Sequence, residues 1–396
     1  MTELTGALPE TVCRYAERMH ARIPATHYVA SPLGAWLVLA LASTAVDDGA
    51  LRAELADALG LPPEAALAAA RRLLGQPHTA VHLAAAAWHR AASQGLAAWL
   101  ATLGDAVESG PIPSQREADQ WAANRTVDLI KRFPLAIDVR TVLVLVTAVA
   151  TKIEWQTAFT ICGANELELA RAQEFADTAR WLRSPRGAAY ERIVDTADGL
   201  LAVHAMASSN ADMLVVSVVG DAEVARTAVL GHCHRIAVAL ARGEAVEGER
   251  SLFDLPLGTG HSWLLEERSD SGSAAREQFD VVLPAWSAQS THALLKLDVP
   301  GFRTAAEVLR MLVDGAGTDA AQVAMARYTR TGFEAAAITG IGVAVSAVRR
   351  PVMHTIRRAR VEFGHPYAVV AVATGGPGPW TGVPLFSAWV AAADEP

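Results

Sequence analysis

The hydrophobic and polar positions of the first third of the chain predict mainly helices. Apolar residues recur at helical spacing, or fill alanine- and leucine-rich runs of helical length, in five stretches: 9–23, 33–45, 50–59, 63–74 and 115–132. The third stretch stops at Gly60, which is typical of a helix C-terminus. Residues 27–30 and 80–88 predict short strands between these helices.

Strand patterns dominate the later part of the chain. Residues 141–155, TVLVLVTAVATKIEW, carry consecutive Val and Leu without helical spacing, which is typical of a strand buried on both faces. Two further strands, 200–207 and 213–219, flank Ser-Ser-Asn and predict a hairpin. The remaining patterns predict strands over 279–283 and 293–299 and a helix over 304–313. Because helices come first and strands follow, we expect the α+β class.

Composition narrows the kind of protein. The chain has 396 residues, of which 52% are hydrophobic and 19% charged, so it can bury a large core. No linker-like, repetitive or low-complexity segment divides it, and we expect one domain. A net charge of −8 disfavours nucleic-acid binding. The absence of a signal-peptide pattern and of a long apolar span predicts a cytosolic protein with no membrane partner. We also expect a monomer.

Candidate chemistry is sparse. The three cysteines are odd in number and far apart, so we expect buried thiols rather than a disulfide framework. His232-Cys233-His234 would place two imidazoles on one face of a strand, but a metal site needs three or four ligands. No phosphate-binding glycine loop, nucleophile elbow or zinc-binding helix motif occurs. The sequence therefore predicts no metal, no cofactor and no catalytic residue.

Arginines cluster near the end of the chain. Arg349, Arg350, Arg357, Arg358 and Arg360 form a local basic patch in an acidic protein. Guanidinium groups suit phosphate and carboxylate ligands. Arg357, Arg358 and Arg360 are therefore candidates for binding an anionic small molecule or a protein partner, and the alternative is a solvated charged surface.

The segment before these arginines alternates like a strand. Residues 331–351 read TGFEAAAITGIGVAVSAVRRP, and one face of a strand here is almost wholly apolar. That face comprises Phe333, Ala335, Ala337, Thr339, Ile341, Val343 and Val345. Periodicity does not tell whether such a strand is buried in a sheet or exposed and able to enter one.

Several stretches together resemble the serpin family over almost the whole chain. They are 28–61, 118–159, LDVPGF at 297–302, and the C-terminal motifs FGHPY and GVPLFSAWV. Within 118–159 the spacing of ten residues matches: Trp121, Thr126, Ile130, Pro134, Ile137, Asp138, Thr141, Lys152, Trp155 and Phe159. The chain is identified as a divergent, bacterial-type member. The resemblance implies the serpin fold over 1–396: a large central mixed β-sheet with two further sheets, surrounding helices and an exposed reactive-centre loop.

By this resemblance, residues 331–362 are the reactive-centre loop region. The implied hinge comprises Gly332, Phe333, Glu334, Ala335, Ala336 and Ala337. In the family a serine protease attacks the loop, and the cut loop enters the main sheet and traps the acyl-enzyme. Counting forward from the hinge suggests a scissile bond at Ser346 and counting back suggests Thr355, with Arg349 and Arg350 between them, so counting alone does not place it. A trypsin-like protease cutting after Arg349 is our choice, because Pro351 hinders cleavage after Arg350.

Some positions depart from the family pattern. Phe333 replaces a small residue, and forcing its ring into a closed sheet is expected to cost about 1–3 kcal/mol. Gly34, Thr147 and Gln322 replace a serine, an asparagine and a histidine of the sheet-opening region, while Trp155 keeps its place at the top of the sheet. In the family, the serine, the asparagine and the histidine belong to a hydrogen-bonded cluster that acts as the sheet-opening switch. In this chain that switch is therefore either dismantled or replaced by other packing.

Three functional classes follow. The first is an inhibitor of a trypsin-like serine protease that works by loop insertion. The second is a non-inhibitory binding protein of the serpin fold, with an anionic small molecule or a protein as its ligand. The third is an enzyme of a small-molecule pathway, of the cyclase or lyase type, because a fold does not fix a function.

Overall fold

The computed structural model describes most of the chain. The described residues are 2–45, 47–90, 93–169, 175, 180–221, 223–260, 262–270, 277–313, 318–333, 354–375 and 378–393. Within them the helices are α1 (Thr2–His20), α2 (Pro32–Ala42), α3 (Gly49–Leu59), α4 (Pro63–Gly75), α5 (Gln94–Leu103), α6 (Gln115–Arg125), α7 (Arg226–Ala241) and α8 (Phe302–Val313). None of these helices is both long enough and apolar enough to cross a lipid bilayer.

Twenty strands accompany these helices in the described residues. The first ten are β1 (Tyr28–Ala30), β2 (Val81–His89), β3 (Glu108–Pro111), β4 (Leu143–Thr151), β5 (Ile153–Glu154), β6 (Thr160–Cys162), β7 (Trp181–Arg183), β8 (Tyr190–Thr196), β9 (Gly199–Ala207) and β10 (Met213–Gly220). The others are β11 (Glu249–Arg250), β12 (Gly258–Thr259), β13 (Trp263–Asp270), β14 (Glu277–Pro284), β15 (Trp286–Ala293), β16 (Ala321–Tyr328), β17 (Gly332–Phe333), β18 (His354–Glu362), β19 (Tyr367–Ala373) and β20 (Pro384–Val390).

Local sequence explains where the helices begin and end. Ser31 caps α2 by accepting a hydrogen bond from the Gly34 amide, and Pro32 suits the first turn. α6 begins with a capping box between Ser114 and Glu117. α3 ends at Gly60, whose φ of 70° is the left-handed conformation that glycine adopts without a steric penalty. The helix ends are therefore set by capping chemistry readable in the chain.

The strands form four sheets. The largest is antiparallel, with the order β1-β20-β19-β10-β9-β8-β11, and α7 packs on β10 and β19. A six-stranded sheet has the order β12-β13-β18-β14-β7-β6. The third and fourth sheets have the orders β15-β16-β17-β5 and β3-β2-β4. The architecture is thus α+β, as predicted, with helices around several sheets.

The third and fourth sheets are two parts of one layer. β5 follows β4 almost directly in the chain, yet β4 pairs with β2 and β5 pairs with β17. β17 in turn pairs with β16. Within the described residues, the edges of β4 and β16 that face each other have no ladder partner apart from β17 at one end. β17 thus links the two parts at one end, where it pairs with β16 on one side and with β5 on the other.

Some sequence predictions are wrong. The helix expected over 115–132 ends at Arg125, after which Val127 and Asp128 take positive φ values of 52° and 60°. No strand covers 293–299: β15 ends at Ala293, and the chain turns in the residues that follow. His232 and its neighbours lie on α7, not on a strand. Residues 354–362, expected within the loop region, form β18.

Candidate functional site

The hinge segment begins inside the sheet. Gly332 and Phe333 pair with Glu154 and Ile153 of β5, and Phe333 also pairs with Tyr328 of β16. Two carbonyls just before them accept hydrogen bonds from across the layer, at 2.9 Å from Trp155 N to Thr331 O and at 2.9 Å from Phe159 N to Arg330 O. The first two hinge residues are therefore strand residues that sit between β5 and β16.

Phe333 occupies a formed aromatic site. Its side chain is 3% exposed, and its ring lies edge-on to Trp286 with 6.4 Å between the centroids. Trp286 stacks on Tyr328 at 6.2 Å. The ring is thus accommodated between β5 and β16, whereas the cost of forcing it into a closed sheet stays a prediction. The ring fits because β16 and β5 are already apart here, with aromatic side chains lining the space.

Trp155 supports the hinge from the opposite strand. Its indole Nε1 donates to Thr329 O at 2.9 Å, and its ring lies 5.0 Å from that of Tyr328. The partners Trp286 and Tyr328 were not anticipated from sequence as hinge contacts. Their pairing across β15 and β16 is the signal, and it is visible only once the strand register is known.

Below the hinge, β4 and β16 enclose an apolar cavity of about 190 Å³. Residues 142–149 line one wall and 320–323 the other. α2, α8 and the segment after α6 complete the lining, the last with Ile130, Phe133 and Leu135. The described residues that flank the path of an added strand are therefore mainly apolar.

The substituted switch residues are brought together around the start of α2. Gln322 Oε1 accepts from Ser31 N at 2.9 Å, and its Nε2 donates to Ser31 O at 2.8 Å. Thr147 Oγ1 donates to Gly34 O at 2.9 Å. β16 is thus bonded to the N-cap residue of α2 and β4 to the first turn of α2, instead of to each other. Of the two alternatives for this cluster, the geometry matches replacement, whereas Trp155 lies apart at the hinge end.

Comparison with known proteins gives no match among family models or curated sequences. Solved structures do match. Native Tengpin, a thermophilic serpin, aligns with a TM-score of 0.64 at 13% identity over 96% of this chain and 93% of its own. Human thyroxine-binding globulin in complex with its ligand gives 0.63 at 13% identity over 99% of each chain. Native protease nexin-1 with heparin gives 0.61 at 14% identity over 98% of this chain and 99% of its own.

The chain has the serpin fold. The sequence resemblance is therefore confirmed at the level of fold, including the central layer, the further sheets and the surrounding helices. Serpin structures in this set were solved in native, cleaved and latent states and with different ligands. The fold therefore does not determine the activity, which has to be proposed from the residues of this chain.

The predicted anion-binding arginines of this serpin-fold chain are paired with acids. Arg357 Nε lies 2.9 Å from Glu267 Oε2. Arg358 and Arg360 lie 2.5 and 2.7 Å from Asp280 Oδ2. Because carboxylates already occupy these guanidinium groups, the prediction of a free anion site at β18 is not supported by the geometry.

A buried ion network fixes β18 within its sheet. Arg360, 4% exposed, also contacts Glu362, and Asp280 receives Arg183 as a third partner at 2.9 Å. Burial alone would raise the pKa of Asp280, but Arg360 and Arg183 outweigh it and hold that pKa below its usual value. Charge pairing therefore ties β18, which follows directly on the predicted loop, to β14 and β7.

The other predicted loop residues lie outside the described residues of this serpin-fold chain. They are the hinge residues Glu334, Ala335, Ala336 and Ala337 and the scissile candidates Ser346, Arg349 and Arg350. In the described part of the chain, no group of three or more His, Cys, Asp or Glu side chains has a metal-binding arrangement. The three cysteines are buried free thiols.

Proposed function

We propose that the chain inhibits a serine protease by inserting residues 334 onward between β4 and β16 after the protease has cut the loop. The observation that carries this proposal is β17. Gly332 and Phe333 already pair with strands on both sides, at the head of a gap whose two edges have no other ladder partner in the described residues. Continuation of β17 along the gap would complete the layer.

The alternation of the loop sequence fits this path. Phe333 points into the buried side, so residues of the same parity follow it: Ala335, Ala337, Thr339, Ile341, Val343 and Val345. The cavity below is apolar in the same way. Burying Ile341, Val343 and Val345 contributes about 1.5–3 kcal/mol each, and new ladder hydrogen bonds with both edges add to this.

The loop is held at both ends before cleavage. β17 anchors its start, and β18 anchors its end in a different sheet through Asp280 and Glu267. A chain fixed at both ends enters a gap less easily than a chain with one free end. Cutting the loop therefore releases the insertion.

A trypsin-like protease is the partner we propose. Arg349 and Arg350 are the basic residues that such a protease accepts, and Pro351 favours cleavage after Arg349. A cytosolic location and a monomeric state remain predictions that accompany this proposal.

The test is incubation of the intact protein with trypsin. We expect a covalent complex that survives denaturing electrophoresis, and cleaved protein that melts at a higher temperature than intact protein. Ala337→Pro is the matched variant, because proline removes a ladder donor without changing the cleavage site. It should still be cut but form little complex. Cleavage after Arg349 with no complex and no change in melting would refute the proposal.

An enzymatic role receives no support from the serine–histidine contacts in the described residues. Ser387 Oγ lies 2.6 Å from His20 Nε2, Ser262 Oγ lies 2.9 Å from His365 Nε2, and Ser184 Oγ lies 3.2 Å from His204 Nε2. All six side chains are buried in the core, where a substrate has no access. These contacts are therefore packing interactions.

A further inference from the structure

The cavity between β4 and β16 has one wall that strand insertion does not use. α8 contributes Phe302, Ala305, Ala306 and Leu309, and these apolar side chains face the cavity from its side. The cavity thus has an apolar side wall on α8 in addition to the two strand edges, and an apolar molecule could pack against it.

The polar groups on the lining differ in whether they have partners. Ser31 donates to Leu385 O, Thr126 to Ala122 O and Thr147 to Gly34 O, and Gln322 is paired with the Ser31 backbone. Asp319 accepts from the Ala320 amide. Each of these polar side chains therefore makes at least one hydrogen bond within the protein, and of them Asp319 is exposed and bonds only to the neighbouring amide.

Two hydrogen-bond donors at the rim remain. Arg310 and Thr318 line the cavity, are exposed, and make no hydrogen bond or ion pair with any described residue. Arg310 lies in the last turn of α8, and Thr318 lies just before β16. An apolar cavity with a guanidinium and a hydroxyl at one end is complementary to a ligand with an apolar body and a terminal carboxylate.

We propose that this cavity binds a small apolar carboxylate, with its hydrocarbon part between β4 and α8 and its carboxylate on Arg310. The ligand would occupy the space that an inserting loop needs. It would therefore slow insertion, and this regulatory consequence rests on the proposed function, whereas binding itself does not.

The binding test uses sodium dodecanoate with intact protein and no protease, followed by calorimetric titration. We expect saturable binding to one site, with affinity falling by up to about fourfold for each methylene removed in decanoate and octanoate. Dodecan-1-ol and dodecyltrimethylammonium should bind at least tenfold more weakly, because they lack the anion.

Two variants locate the site. Arg310→Gln should weaken dodecanoate binding about tenfold, the loss of one charge-assisted hydrogen bond at an exposed rim. Arg303→Gln, on the same helix but paired with Asp298, is the control and should leave affinity unchanged. Ala306→Phe should fill the cavity and abolish binding, and a melting curve verifies that it folds.

Several outcomes overturn the inference. Equal affinity for dodecan-1-ol and dodecanoate, or no effect of Arg310→Gln, would show an apolar cavity without an anion site. Binding of a peptide of residues 333–345 but not of dodecanoate would show a strand site only. If dodecanoate binds but no protease complex forms, the proposed function fails and this inference stands; the reverse result rejects this inference alone.

Discussion

Replacement of Phe333 by alanine tests whether the hinge is anchored by its aromatic site. The ring is 3% exposed and contacts Trp286, and Phe→Ala in a protein core costs about 3–5 kcal/mol. A small cavity already adjoins Phe333, so partial collapse is possible and the lower figure, about 3 kcal/mol, is the better expectation. The hinge should then leave its site more than a hundredfold more often.

Hydrogen exchange provides the assay, because two amides report directly on this anchor. Trp155 N and Phe159 N donate to Thr331 O and Arg330 O, so both lose protection when the hinge leaves. We expect their exchange in Phe333→Ala to accelerate by about two orders of magnitude, with no change in the β9–β10 hairpin. Leu257→Ala is the control, because Leu257 is 52% exposed. Unchanged exchange at Trp155 and Phe159 would refute the anchoring argument.

Two further predictions concern buried carboxyl groups whose pKa values shift in opposite directions. Asp280→Asn removes the carboxylate that pairs with three arginines and should lower the free energy of unfolding by about 3–5 kcal/mol at pH 7. Glu267→Gln, which removes the partner of Arg357, should lower it by less than about 1 kcal/mol. Thermal melts compare the two variants, and equal losses of stability would contradict the network. The Asp280 pKa is lowered in the fold, so its contribution is present above the unfolded pKa and disappears as pH falls through the folded one. Burial raises the pKa of Glu191 to about 7, so the wild-type chain loses stability as pH rises from about 4.5 through 7. Glu191→Gln should therefore gain up to about 3 kcal/mol at pH 8 relative to pH 4, and a gain independent of pH in melting curves would exclude this explanation.

The fold could be predicted where local pattern and packing agree. The β9–β10 hairpin and the start of α2 follow from turn and capping residues that lie next to each other in the chain. β15 was missed because WSAQSTHA contains only three apolar residues and therefore gives a weak pattern, whereas the following LLKLDV is apolar but turns. Apolar character reports burial, and it does not by itself report an extended backbone.

The site was only partly predictable. The resemblance indicated Gly34, Thr147 and Gln322 as one cluster, but it did not give the bonds to the α2 backbone that replace their family contacts. The arginines of β18 were visible as a run, while Asp280 lies 80 residues away from Arg360. Charge compensation between distant strands depends on sheet order, and no local pattern carries that information.

The two attachments of the predicted loop differ greatly in strength. β17 contributes two residues and one aromatic ring, whereas β18 contributes nine residues between two neighbouring strands and a buried set of ion pairs. A pulling force applied to the chain between β17 and β18 would therefore detach β17 from its sheet before it detaches β18. When a partner displaces the predicted loop, we therefore expect the contacts of Trp155 and Tyr328 with the hinge to change before the six-stranded sheet does.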